Sequence, residues 1–566
     1  MPEGYIKTRA DATWWMDQIS AGEAYRKKYA LEAQWAKWRK YYRGRWKAGT
    51  LPANVFFSML RSTVPRIYFR NPAVSVTPAL PGFLHMAFAQ VLNRIDNKLI
   101  RTMGLKHEMK DIVQDAWLKG TGVGKIGIGS QFPTETEDEA PFGSRGERFE
   151  YQTNVQPNRP WFMRTDTGHF VVADGLRRMR EARWCAELIQ RPKDDLIRDP
   201  RIKAGADTLR AAQVKTPSGD TVMRPIEMVD VYEIRDRKYD QLILMAPHSD
   251  REGQILYQGN DPLSERSLPF RDVVFNPDDE VFWGVPDAQI LEPYQLEINE
   301  IRTQNMKHRR LALIKIIADM NSISEDEIAK MFTEEVGAVV KVDGQPANAV
   351  AHFQVANIPT DLQIASQEVR QDIRESLGFG RNQMGDFQTR RGDTSATEAA
   401  IVQAGSELRI DEKRDTISDL LVSVIEEMHE IIFDRWSAEQ VVEVVGPGGM
   451  PTWVQVNPGI LKEGRYVVKV DPDSAAVRTR EQREAKAMAL YQVLKENPMI
   501  DPMKLTQYLI NEMEGVELDD FMRALPPQQG GGQGGPLSMG QFASQIGQGV
   551  RTAGAGGARR LAAGGG

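Results

Sequence analysis

Four carboxylates share one side of the helix predicted over residues 361–377. At about 100° per residue they fall within a sector roughly 60° wide. They are Asp361, Glu368, Asp372 and Glu375. A row of carboxylates repels phosphate, so it can wall a path along which a DNA duplex moves without adhering. A solvated face on an ordinary surface helix is the alternative interpretation.

The same helix carries an apolar face and a basic edge. The apolar stripe consists of Leu362, Val369, Ile373 and Leu377. Arg370 and Arg374 lie just beyond this stripe. These two arginines could pair with acidic residues of a neighbouring subunit, although exposed ion pairs contribute little free energy.

A Gly-containing loop predicted over residues 378–394 follows this helix. It carries Arg381, Arg390 and Arg391, which could touch DNA phosphates transiently. The helices predicted over 287–317 and 361–377 bracket a compact insert, so we expect them to lie side by side. A ring of such hairpins would place one acidic face per subunit around a central hole.

Other candidate chemistry fails on spacing. The segment Gly120-Thr-Gly-Val-Gly-Lys125 has the wrong spacing for a phosphate-binding loop, and Ile126 replaces the required hydroxyl residue. A glycine-rich turn entering a strand is the favoured interpretation. No histidine pair has metal-site spacing, and Cys185 is the single cysteine. We therefore predict no catalytic residue, no metal and no cofactor.

The composition limits the partners. The 566 residues are 41% hydrophobic and 27% charged, so most of the chain can fold around sizeable cores. The formal net charge is −6, which argues against a protein that coats nucleic acid non-specifically. No apolar run is long enough to span a bilayer, and the N-terminus is not a signal peptide. We expect a soluble intracellular protein without membrane partners.

The pattern along the chain predicts an α+β fold. Residues 161–285 are dominated by β-strand patterns, and helices are predicted near 83–103 and 105–119. The insert reads as a helix over 324–332 and a strand over 337–342. A long helix begins at the capping box Ser395-Ala-Thr-Glu398 and continues to about Trp436.

The C-terminal third contains further predicted elements. Three strands follow the long helix, over 441–445, 453–456 and 466–470, and then two helices, over 474–496 and 502–523. Residues 526–566 contain fourteen glycines and no acidic residue, so we expect this tail to be disordered.

Seven short stretches, each weak alone, together resemble the portal proteins of tailed double-stranded DNA bacteriophages. The resemblance covers most of residues 10–525. The stretches are Tyr41-Tyr-Arg-Gly44, Leu51-Pro-Ala-Asn54, Arg66-Ile-Tyr-Phe-Arg-Asn-Pro72, Asp115 with Gly120-Thr-Gly-Val-Gly-Lys125, Val231-Tyr-Glu-Ile234, Gly284-Val-Pro286 and Ser395-Ala-Thr-Glu398. Their order and the helix–insert–helix–loop–long-helix plan carry the resemblance.

The resemblance implies a domain plan for one subunit of a ring. Residues 1–285 and 438–473 would form a mixed α/β wing, and 395–437 a long wing helix. Two stem helices, 286–318 and 358–377, would flank a small α/β clip at 319–357. The tunnel loop would be 378–394, the helical crown 474–525 and the Gly-rich tail 526–566.

The resemblance also implies function and partners. Such proteins form rings, usually dodecamers, at one capsid vertex of the virion, and they assemble in the host cytoplasm. Double-stranded DNA passes through the ring during packaging and ejection. Partners would be major capsid and scaffolding proteins, the terminase and then a tail adaptor, with no catalytic activity in the portal itself. Another head–tail connector or capsid structural protein is the alternative, and a nucleic-acid-processing enzyme is a third.

Overall fold

A computed structural model describes most of the chain. The described residues are 9–69, 71, 74–128, 160–199, 202, 209, 214–215, 221–222, 227–247, 253–261, 268–311, 315–318, 321, 323–331, 339–343, 345, 350–353, 360–377, 396–435, 440–445, 451–456, 461–462, 464–470, 480–495 and 537–538. Within them the fold mixes helices and sheets, as the α+β prediction requires.

The helices are numbered in chain order. They are α1 (Arg9–Tyr29), α2 (Glu32–Tyr42), α3 (Val55–Ile67), α4 (Phe83–Thr102), α5 (Leu105–Lys119), α6 (Lys193–Arg198), α7 (Asp287–Leu311), α8 (Glu325–Met331), α9 (Thr360–Leu377), α10 (Ala396–Arg435) and α11 (Arg480–Leu494). A 3₁₀ turn spans Met179–Glu181.

The strands are numbered in the same way. They are β1 (Val74–Pro78), β2 (Thr121–Ile128), β3 (Pro160–Thr165), β4 (Phe170–Val172), β5 (Trp184–Pro192), β6 (Val214–Lys215), β7 (Thr221–Val222), β8 (Met228–Asp236), β9 (Gln241–Pro247), β10 (Gly253–Asn260), β11 (Phe270–Val274), β12 (Lys315–Ala318), β13 (Val350–Phe353), β14 (Gln440–Val445), β15 (Pro451–Val456), β16 (Tyr466–Val470) and β17 (Leu537–Ser538).

The chain divides into two compact units. The first comprises Met1–Ala33, Arg61–Pro286 and Leu408–Gly566, and the second comprises Gln34–Leu60 and Asp287–Glu407. Because each unit is built from separated stretches of sequence, long-range contacts hold each of them together.

An antiparallel sheet of order β10-β9-β8-β5-β4 forms the centre of the first unit. Alternating residues of β8 and β9 face opposite sides, as the pleat requires. One side packs against α1, where Trp15 meets Trp184 edge-on at 5.7 Å between ring centroids. The other side packs against Leu196 of α6. Burial on both sides explains the nearly continuous apolar runs of these strands.

Two smaller sheets of the first unit join distant parts of the chain. The sheet of order β11-β2-β3 is antiparallel throughout. Strand β16 pairs with β1, so Thr77 lies opposite Val467. The three strands predicted between 441 and 470 are thus present, but the third pairs with β1 near the other end of the sequence.

The second half of α10 carries the predicted apolar stripe. Its members are all buried, namely Ile417, Leu421, Val424, Met428 and Ile431. A buried hydrogen bond joins the same part of α10 to α4, since His429 Nε2 lies 2.8 Å from Asp96 Oδ2. The long helix predicted from the capping box to about Trp436 is confirmed as Ala396–Arg435.

The second unit differs from the predicted secondary structure at two places. The helix predicted over 287–317, assigned as the stem helix 286–318, ends at Leu311, and Lys315–Ala318 instead forms β12. The β-branched pair Ile316 and Ile317 suits the antiparallel ladder that β12 makes with β13. The strand predicted over 337–342 is wrong where it is described, because residues 339–342 are not in a strand. Residues 34–60 also belong to this unit.

The C-terminal predictions are met in part. Helix α11 lies within the predicted helix 474–496, whereas the predicted helix 502–523 lies outside the described residues. In the tail predicted to be disordered, Leu537–Ser538 forms β17 and pairs in parallel with Val454 and Gln455 of β15. Backbone hydrogen bonding to an existing strand orders these two residues without needing a core of their own.

Candidate functional site

The helix that carries the acidic residues packs against α7. In α9, Val369 and Ile373 of the predicted apolar stripe are buried, at 3% and 2% exposed, and Leu377 is half-buried. Ser376 Oγ donates a hydrogen bond to Tyr294 Oη at 3.1 Å, which ties the end of α9 to α7. The two helices predicted to bracket the insert therefore lie side by side.

The acidic residues of α9 lie on its exposed side. Glu368, Asp372 and Glu375 are all exposed, and Glu375 Oε1 accepts a hydrogen bond from Gln371 Nε2 at 2.7 Å. The side chain of Asp361 is outside the described residues. Three carboxylates at helical spacing thus form an acidic face, which we define as Glu368, Asp372 and Glu375.

Two of the five arginines predicted to make contacts have described side chains. Arg370 is exposed and Arg374 is half-buried, next to the buried stripe. Arg381, Arg390 and Arg391, predicted to touch DNA from the loop over 378–394, lie outside the described residues. The structure therefore brings together the acidic face and the two arginines of α9.

A ladder of polar side chains on α7 accepts backbone hydrogen bonds from residues 51–56, which end in the first turn of α3. Gln295 Oε1 accepts a hydrogen bond from the Phe56 N–H at 3.1 Å, and Asn299 Oδ1 accepts one from the Ala53 N–H at 2.8 Å. One turn further, Thr303 Oγ1 accepts from the Leu51 N–H at 3.0 Å. The bond to Phe56 is buried, so it satisfies a backbone donor that water cannot reach.

Helix α2 contacts α7 through the carboxylate of Glu292. Glu292 accepts a hydrogen bond from the Trp38 indole N–H at 2.7 Å and forms an ion pair with Lys37. The hydrogen bond to Glu292 raises the pKa of Lys37. Together with the polar ladder, this contact explains why residues 34–60 join the second unit.

The glycine-rich segment is a turn into a strand, as predicted. Gly120 ends α5 in the left-handed region at φ +87°, and a Cβ there would lie 2.0 Å from the carbonyl oxygen of Gly284. Lys125 is buried, and its Nζ lies 2.8 Å from Glu187 Oε2 and 2.9 Å from Glu233 Oε1. An ammonium held by two carboxylates is not available to a nucleotide phosphate.

The same lysine belongs to a buried charge network between two sheets. Arg235 lies 2.7 Å from Glu233 and also pairs with Asp261. Burial by itself raises the pKa of Glu233, but Lys125 and Arg235 outweigh it and lower the pKa to about 2. Burial also raises the pKa of the nearby Cys185 thiol, so this cysteine is a poor nucleophile. The network links β2 to β5 and β8 and is structural.

The described residues offer neither a metal cluster nor a membrane span. Within that part of the chain, no group of three or more His, Cys, Asp and Glu residues could hold a metal ion. Among the helices that are described, none is both long and apolar enough to cross a membrane.

The sequence interpretation missed the polar ladder. It identified the apolar positions Leu291 and Ile298 of α7, which are buried, but not the polar residues beside them. The available signal was the recurrence of Gln295, Asn299 and Thr303 every four residues, which places them on one face of the helix.

Comparison with known protein families identifies a relationship. A model of the phage SU10 portal protein family matches residues 249–545, which is slightly more than half of the chain. The matched range contains α7, α9 and α10, and therefore the acidic face. No curated protein sequence matches the chain significantly.

Proposed function

Because the chain belongs to the phage SU10 portal protein family, we propose that its copies close into a ring at one capsid vertex, through which double-stranded DNA is packaged and ejected. The family is structural rather than enzymatic, and it places the protein at the portal vertex of the virion. The family match carries this proposal, and a dodecamer is the ring size we propose.

The acidic face supports the assignment of α9 to the wall of the channel. Glu368, Asp372 and Glu375 are exposed at helical spacing, while Val369 and Ile373 fix the rotation of the helix by their burial. Carboxylates along a narrow channel repel the phosphates of a passing duplex from every side, which keeps the DNA centred and moving. We include Asp361 in this face on its helical phase.

The arginines are assigned to subunit contacts and to transient DNA contacts. We propose that Arg370 and Arg374 pair with acidic residues of the adjacent subunit in the ring. Such pairs set register more than stability, since exposed ion pairs contribute little. Arg381, Arg390 and Arg391 would contact phosphates from the tunnel loop.

The partners follow from the proposed position at the vertex. Residues 319–357, of which β13 and α8 are described, would meet the terminase during packaging and a tail adaptor afterwards. The terminase would supply the ATP hydrolysis, and the outer surface of the ring would meet capsid and scaffolding proteins. The portal itself would need no cofactor.

Electron-microscopic class averaging of the purified full-length protein tests the proposal. We expect end-on rings with a central hole wide enough for a duplex, and a flared side view with a narrow stem. The end-on class averages also give the number of subunits in the ring. Particles that stay monomeric, both alone and when coexpressed with the capsid and scaffolding proteins of the same phage, would overturn the ring assignment.

A further inference from the structure

A cluster of six exposed cationic side chains lies in the first unit. We define this basic patch as Arg177, Arg178, Arg180, Arg183, Arg237 and Lys238. Four of them fall within seven residues of sequence and the other two follow β8. The chain as a whole has a net charge of −6, so this local concentration of positive charge is opposite in sign to the chain's net charge.

The fold brings these two segments together. The 3₁₀ turn Met179–Glu181 leads into β5, and β5 pairs with β8 in the central sheet. At the end of this pairing the Arg237 N–H donates to the Arg183 carbonyl at 2.8 Å. The Arg237 guanidinium also donates to the Arg180 carbonyl at 2.9 Å. The cations therefore share one edge of a rigid sheet.

Nearby carboxylates neutralise the patch only in part. Glu181 lies 3.9 Å from Arg180, and both side chains are more than half exposed, so water screens the pair. Asp236 lies 3.5 Å from Arg183. Arg177 and Arg178 form no ion pair with any residue in the described part of the chain. Against six cations the two segments 177–183 and 236–240 supply three carboxylates, Glu181, Asp236 and Asp240, which leaves a net charge of +3.

Aromatic rings and a cavity border the patch. The Arg183 guanidinium lies 5.9 Å from the ring of Trp14, which is 41% exposed, and 5.7 Å from the ring of Tyr239. Arg180 and Arg237 line a cavity of about 370 Å³. Arginine and lysine side chains clustered on one face are the electrostatic signature of a surface that binds nucleic acid.

We propose that the basic patch binds the phosphate backbone of double-stranded DNA without sequence preference. Duplex DNA presents about one negative charge per 1.7 Å of its axis, which matches a dense cluster of guanidinium groups. Five of the six cations are arginines, whose planar fork binds phosphate oxygens in pairs. The choice of DNA over another polyanion rests on the proposed portal function. The patch is a gripping surface, opposite in sign to the acidic face.

Fluorescence anisotropy with a labelled duplex of about 30 base pairs tests the proposal on the full-length protein. The test variant is Arg177→Ala/Arg178→Ala/Arg180→Ala. We expect its affinity at low salt to fall roughly tenfold or more, and its log–log salt dependence to flatten by about 2 to 3, because each lost phosphate contact removes about 0.9 from the slope. The three side chains are exposed, so circular dichroism and the melting temperature should match the wild type.

A matched control removes the same charge elsewhere in the first unit. Arg61→Ala/Lys106→Ala/Lys110→Ala deletes three cations around the exposed ring of Phe69, where the two Nζ atoms lie 5.6 and 5.7 Å from the ring centroid. We expect this variant to keep the wild-type salt slope. Equal losses in both variants would show a general charge effect and overturn the proposal.

A competitor separates DNA from an acidic protein partner. Poly-glutamate of equal charge should displace the duplex from the wild type only weakly. Displacement as effective as by unlabelled duplex would assign the patch to an acidic polypeptide and contradict the proposal. Ring formation is scored independently by electron microscopy, so rings with unchanged duplex binding in the test variant would refute this inference and leave the portal function standing.

Discussion

Asn299 Oδ1 accepts a hydrogen bond from the backbone N–H of Ala53 at 2.8 Å, although 246 residues separate the two in the sequence. The same oxygen accepts a second bond from Gln295 Nε2 at 2.8 Å. One amide on α7 therefore fixes both a neighbouring side chain and the segment that leads into α3. This relationship makes residues 34–60 part of the second unit.

Asn299→Ala should destabilise the second unit. The substitution leaves the Ala53 N–H and one Gln295 amide proton without their acceptor in a buried site, which costs about 1–3 kcal/mol. Denaturant unfolding followed by tryptophan fluorescence measures the loss. Gln304→Ala is the control, since Gln304 bonds Glu300 on the exposed side of the same helix and its loss should change stability by less than about 0.5 kcal/mol. Equal effects of the two variants would contradict the ladder.

Gly120→Ala should destabilise the protein far more than Gly104→Ala. Both glycines are in the left-handed region, at φ +87° and +69°. Only at Gly120 would the new Cβ collide with backbone, 2.0 Å from the Gly284 oxygen, whereas nothing lies within 4 Å at Gly104. We expect a cost of about 1–2 kcal/mol at Gly104 and about 3 kcal/mol or more at Gly120. Melting temperatures measure both, and equal shifts would rule out the close approach.

Acid should weaken the first unit through Glu233. Its pKa is lowered to about 2, below its unfolded value of roughly 4.5, so its contribution is complete above pH 4.5 and is lost as the pH falls towards 2. The unfolding free energy of the wild type should therefore decrease as the pH is lowered from 6 to 2. For Glu233→Gln the decrease should be less steep, and the two slopes should differ by up to about 1.4 kcal/mol per pH unit. Parallel curves for the two proteins would mean that Glu233 titrates normally.

Charge reversal of the acidic face should slow DNA passage. In Glu368→Lys/Asp372→Lys/Glu375→Lys, lysines at exposed positions would attract phosphates and hold the duplex to the wall. The measurement is the rate of DNA packaging by a purified motor on capsids that carry the variant portal. Asp415→Lys/Asp419→Lys/Glu426→Lys reverses three exposed carboxylates on α10 and should package at the wild-type rate. Packaging at an unchanged rate in the α9 variant would place this face outside the channel.

Local patterns predicted most helices and the rotation of α9. The 3.6-residue repeat placed Val369 and Ile373 on the buried side and the carboxylates on the exposed side, and both placements are observed where the side chains are described. The same argument failed at residues 315–318. A short apolar run there is compatible with either a helix or a strand. It forms a strand because β12 pairs with β13.

The sequence by itself determined the class of fold, the acidic face and the family resemblance, because periodicity, composition and short motifs are local properties of the chain. Only the tertiary structure decided which segments meet. It placed residues 34–60 on α7, paired Thr77 with Val467 across 390 residues, and gathered six cations at one sheet edge. The hydrogen bonds behind these contacts join groups that are far apart in the sequence, and their pairing is settled only when the whole chain has folded.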